Sequence, residues 1–175
     1  MQMREFIQQM YKAILEGDVE RFDDIEDDIK NENIKLALED IVPLCNLIIL
    51  DSEYIEYSQI IEIAKMTFWA IEQNNMEEGL QELAIGLEEI YDLGQKDTWT
   101  NWYGSDCEEF LDRYISMAIL RYNEDRLRLF GNKLSQSHSA DFRSTIRKVI
   151  KGTMAREEEQ EGYVTKGKIL ANSIK

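Results

Sequence analysis

Apolar residues recur along this chain at intervals of three and four, the spacing that gathers side chains on one face of an α-helix. Phe6, Met10, Ala13 and Ile14 form the first stripe, and Gly17 stands where that helix would end. Asp18 is placed to cap a second helix. There Val19, Phe22, Ile25 and Ile29 are apolar, and Asp23, Asp24, Glu26, Asp27 and Asp28 make an anionic opposite face. Ile34, Ala37, Leu38, Ile41 and Val42 carry the period to Pro43, which removes a backbone donor and kinks or restarts the helix. Leu44, Leu47, Ile48 and Leu50 are apolar on several sides and predict a short piece central in the core.

Asp51 or Ser52 opens a long unit whose inward side is Ile55, Ile60, Ile61, Ala64, Phe68 and Ile71. Asn75 with Glu78 marks another start, followed by Leu80, Leu83, Ala84, Leu87, Ile90 and Tyr91, with Gly94 as the stop. Residues 95–104 read as an aromatic loop holding Trp99, Trp102 and Tyr103. Ser105 and Glu108 form a capping box, from which one long helix is expected to about Leu134 unless Gly131 ends it early. A polar linker, Ser135 to Ser139, and an amphipathic helix over 140–154 follow. Residues 155–175, with Glu157-Glu158-Glu159, Gly162 and Gly167, read as a loosely held tail. No segment of useful length shows the strand period. The expected fold is all-α: a single domain over 1–154, built as an irregular helical bundle or short helical stack of about seven to eight helices.

Length and composition agree. A chain of 175 residues has the size of one domain and can bury a core without a metal or disulfide. The most apolar run, 41–50, is too short to span a membrane and contains Pro43 and Asn46. The first residues lack the layout of a secretory signal. Cys45 and Cys107 read as a reduced pair, so a cytoplasmic location is expected.

Charge changes the picture. The formal net charge is −15, and it is distributed unevenly. Residues 1–112 hold 7 Lys and Arg against 28 Asp and Glu, whereas residues 113–151 hold 9 against 3. An acidic body followed by a basic stretch implies electrostatic recognition. On the acidic side, Asp23, Asp24, Asp27 and Asp28 are candidates to contact a basic protein, with Trp99 and Trp102 as aromatic anchors if that loop is exposed. The alternatives for these residues are a solvated helix surface and rings that plug the core. On the basic side, Arg143, Arg147 and Lys151 repeat every four residues and make a ridge, with Arg121 on the preceding helix. Such a ridge suits nucleic-acid phosphates, or it neutralises the acidic body or a second subunit of a homodimer.

Three carboxylate pairs have the spacing of metal ligands: Glu53 with Glu56, Glu89 with Asp92, and Glu109 with Asp112. The first two pairs, Glu53-Tyr54-Ile55-Glu56 and Glu89-Ile90-Tyr91-Asp92, resemble over eight positions the Glu-x-x-Glu and Glu-x-x-Asp pattern of the all-α nucleoside triphosphate pyrophosphatases. That resemblance implies Mg²⁺ held by carboxylates and hydrolysis of a nucleotide, with a residue such as Arg121 holding phosphate. The pairs lie farther apart here, and the family's surrounding basic residues are absent. His138, the one histidine, lies in the polar linker and reads as an exposed loop residue. Walker, dinucleotide and zinc motifs are all missing. The leading expectation is therefore a non-enzymatic module, inhibitor-like or immunity-like, that engages a basic protein, with no cofactor and no membrane span. A Mg²⁺-dependent nucleotide phosphohydrolase and a nucleic-acid-associated protein binding through 121–151 are the alternatives.

Overall fold

The computed structural model describes residues 3–31, 64–65, 67–69, 71–72, 75–96 and 101–175. All regular structure among them is helical. Seven helices have defined bounds: α1 (Met3–Glu16), α2 (Val19–Asn31), α3 (Met76–Lys96), α4 (Asn101–Arg121), α5 (Glu124–Ser135), α6 (Ala140–Arg156) and α7 (Tyr163–Ser173). Contacts divide the chain into two compact units, Met1–Gly79 and Leu80–Lys175. The division falls in the first turn of α3, so the hydrophobic period does not mark it.

In the first unit, α1 packs on α2. Gly17 has φ +70° and the Asp18 N–H donates to the Ala13 carbonyl at 2.8 Å, which closes the end of α1 in the left-handed turn that glycine adopts at least cost. Asp18 then caps α2, its Oδ1 accepting from the Arg21 N–H at 3.1 Å. Met10, Ala13, Phe22 and Ile25 are buried, as are Ala64, Thr67, Phe68 and Ile71 on one stripe of a helical stretch.

In the second unit, α5 and α7 make the most extensive pairing, and α6 packs on both α4 and α7. Phe110, Tyr114, Leu127, Phe130, Phe142, Ile146 and Leu170 fill this core. The Tyr91 ring of α3 meets Phe142 of α6 at 5.6 Å between centroids.

Three sequence expectations are corrected here. The long helix from Ser105 to Leu134 is two helices. Asn123 caps α5 through its Oδ1, which accepts from the Arg126 N–H at 3.0 Å, and Glu124 and Asp125 favour the positive helix start. The aromatic loop expected over 95–104 does not hold at either end. Helix α3 continues to Lys96 and α4 begins at Asn101, so Trp102 and Tyr103 have helical backbones and Ser105 is not the cap. The tail is not loose. Residues 163–173 are helical, with Tyr163, Leu170 and Ile174 buried and the Tyr163 hydroxyl 3.3 Å from Ser116 Oγ.

Gly131 explains how α7 is held. It sits inside α5 rather than ending it, and a Cβ there would collide with Ser173 Cβ and lie 3.1 Å from the Leu170 carbonyl oxygen. Its absence lets the two backbones approach. The last turn is then fastened by Ser135, whose Oγ lies 2.9 Å from the Gly131 carbonyl oxygen and 3.0 Å from that of Ser173, and accepts from the Lys175 N–H at 2.7 Å.

Candidate functional site

The acidic helix α2 presents a cleanly divided surface. Phe22 and Ile25 point inward, and Asp23, Asp24, Asp27 and Asp28 are all exposed. Glu26 does not belong to the outward set. At 6 % exposure it is buried, because a position four after Phe22 returns to the same helix face. The outward anionic face therefore includes the four aspartates and not Glu26.

The basic stretch is less separate than its sequence implies. Arg113 Nε donates to Glu109 Oε1 at 2.9 Å, one helical turn back. Arg128 lies 3.6 Å from Glu124 and 3.2 Å from Asp125, and Arg126 stands over the Tyr122 ring at 5.9 Å. Arg156 Nη1 donates to Asp112 Oδ2 at 3.0 Å. Its Nη2 is 2.9 Å from Oδ1, a charge contact without hydrogen-bond alignment, and its Nε reaches Glu157 at 3.3 Å. The hydrogen bond it donates to Asp112 is the chief reason that the Arg156 guanidinium is held above the ordinary arginine pKa. Arg113 and Arg156 thus occupy the Glu109 and Asp112 pair that had the spacing of metal ligands.

Of the proposed ridge, Arg147 and Lys151 are exposed, with Lys148 beside them. Arg143 is half-buried and turns back to the linker, donating through Nη1 to the Ser137 carbonyl. Arg121 is exposed at the end of α4 and is engaged within the protein.

A cleft of about 320 Å³ opens in the second unit between α3 and the end of α5. One wall is a single stripe of α3: Gln81, Ala84, Ile85, Glu88, Glu89 and Asp92. The other wall comprises Lys133, Gln136, Ser137 and His138, where the Gln136 and Ser137 N–H groups close the last turn of α5 on the Lys133 and Leu134 carbonyls. Ser139 starts α6 immediately afterwards, accepting from the Phe142 N–H at 3.1 Å. This short linker holds the wall in place. His138 is exposed, as its loop position implied, and it also borders the cleft.

Sequence reasoning placed Glu89 and Asp92 here only as members of a metal motif and missed the cleft. The usable signal was the recurrence of polar residues at 81, 88 and 92, with the apolar Ile85 among them, on the side of α3 away from the leucine stripe. Among the described residues, no group of three or more His, Cys, Asp or Glu side chains is placed to hold a metal ion. Glu53, Glu56, Trp99 and Cys45 lie outside the described residues, as does the side chain of Trp102. No described helix is long and apolar enough to cross a membrane. No protein-family profile, curated protein or solved structure matches this chain.

Proposed function

We propose that this protein is a non-enzymatic binding module, acting in the cytoplasm, whose α2 face engages a basic partner protein. The observation that carries the reading is the exposure of Asp23, Asp24, Asp27 and Asp28 together on the side of α2 away from its buried Phe22 and Ile25. Anionic groups on one face attract a basic surface at long range and repel acidic competitors, which raises association rate and selectivity. The test compares capture of partners by the wild-type chain with capture by Asp23→Asn/Asp24→Asn/Asp27→Asn/Asp28→Asn protein. Affinity for the captured basic protein is then measured at rising salt. The expected result is a loss of about 10-fold or more in the variant and a flatter salt dependence. Equal affinity in the two proteins would end the reading.

The exposed Arg147 and Lys151 favour a second contact surface, for nucleic acid or for a second copy of the chain. Sedimentation and salt-dependent binding to duplex DNA, each with Arg147→Gln/Lys151→Gln protein, separate these possibilities.

A further inference from the structure

We propose that the cleft between α3 and the end of α5 binds a small linear polyamine. Its volume of about 320 Å³ lies at the lower end of the range for small-molecule sites, about 300–1,000 Å³. Its chemistry has two parts. Ile85 stands 44 % exposed at the cleft beside Ala84, a large apolar side chain that the protein itself leaves uncovered. One and two turns farther along the same face come Glu88 and Asp92, with Glu89 between them. Consecutive turns are about 5.4 Å apart, so along this line one apolar turn, Ala84 and Ile85, is followed by two turns of carboxylates. A linear polyamine offers the same order: methylenes to cover the apolar turn and ammonium groups spaced to reach carboxylates on successive turns.

Charge and geometry together select this ligand over a metal ion. Among the described residues, the lining holds three carboxylates against the single Lys133. The opposite wall is the C-terminal end of α5, the negative pole of a helix. Yet the carboxylates do not converge as a metal requires. They are strung along α3, so separated cations fit where a point dication does not. Glu88 is half-buried, which strengthens its attraction for an ammonium relative to a fully solvated acid. Glu89 and Lys133 already hold interactions within the protein, so Glu88 and Asp92 carry the ammonium contacts. The linker accepts a cation of the protein's own, Arg143 on the Ser137 carbonyl, which shows that cationic donors suit this turn.

The experiment is calorimetric titration of the full chain with spermidine, with Mg²⁺ as competitor. The proteins are wild type, Glu88→Gln/Asp92→Asn, Ile85→Ser, and a control altered outside the cleft, Glu158→Gln/Glu161→Gln. The expected result is saturable binding that falls about 10-fold in Glu88→Gln/Asp92→Asn and about 3-fold in Ile85→Ser. Binding should stay within about 2-fold in the control and resist an equal concentration of Mg²⁺. Amide shifts of Ile85, Gln136 and His138 should move on titration. Unsaturable binding, an equal loss in the control, or displacement by equimolar Mg²⁺ would overturn the proposal in favour of diffuse counterion attraction. All substituted positions are partly or fully solvent-exposed, and unchanged circular dichroism confirms that each variant is folded.

Discussion

Residues 1–79 carry 6 Lys and Arg against 19 Asp and Glu, a net charge of −13, whereas residues 80–175 carry 14 against 16, a net of −2. The second unit is almost as acidic in content as the first, but several of its acids meet cations. Glu109 lies one turn from Arg113, Glu124 and Asp125 flank Arg128, and Asp112 receives Arg156 from another helix. Helix α2 instead turns four aspartates to water along one face. The comparison separates two quantities that composition merges, acidic residues and acidic surface. An acid becomes surface potential where no cation pairs with it from a turn away or from a packed neighbour.

The largest expected effect falls on the second unit. Phe130, fully buried in α5, should cost about 3–5 kcal/mol when replaced by alanine, read from urea denaturation and from lost hydrogen-exchange protection in α5 and α7. A loss below about 1 kcal/mol would show that this helix is not central to that core. Gly131→Ala comes next. Collision with Ser173 and crowding of the Leu170 carbonyl should cost about 1–3 kcal/mol, even though alanine is the better helix former by about 1 kcal/mol. A neutral or stabilised variant would mean that α7 shifts freely.

Arg156→Met tests the paired charges of the second unit. Because the side chain is 39 % exposed, the cost should be about 1 kcal/mol or less and should shrink in salt. The guanidinium pKa is raised by Asp112, so this stabilisation is complete below the ordinary arginine value and is lost only as pH climbs through the raised one. The difference between wild type and variant should therefore stay level between about pH 6 and 10. A pH-dependent difference in that window would point to another titrating group. The smallest stability effect belongs to the first unit. Replacing Asp23, Asp24, Asp27 and Asp28 with asparagine should move Tm by no more than about 2 °C while weakening the basic partner. A large drop in Tm would make these aspartates structural and erase the contrast between the units.

Local signals were legible where the physics is local. Gly17 ends α1, Asp18 caps α2, and Asn75 Oδ1 accepts from the Glu78 N–H at 3.1 Å at the start of α3, each as its sequence context implies. The break at Asn123 was also written locally, as a capping residue followed by two acids. Tyr122 kept the apolar period running across it and concealed the boundary. The tail was misread because Gly162 and Gly167 look like breakers. Gly162 at φ +79° starts α7, and Gly167 is buried within it.

Residue order alone showed that the chain is helical, where α2, α3 and α6 begin, and that acid dominates its first half. Periodicity and capping depend only on residues a turn apart, so they can be read without coordinates. Tertiary structure alone decided which charges remain outside. Asp112 and Arg156 are far apart in the chain, and only the packing of α6 on α4 makes them a pair. The same holds for the cleft, which requires residues near 85 to face residues near 136. Helix period shows which side chains share a face, and only packing shows what that face meets.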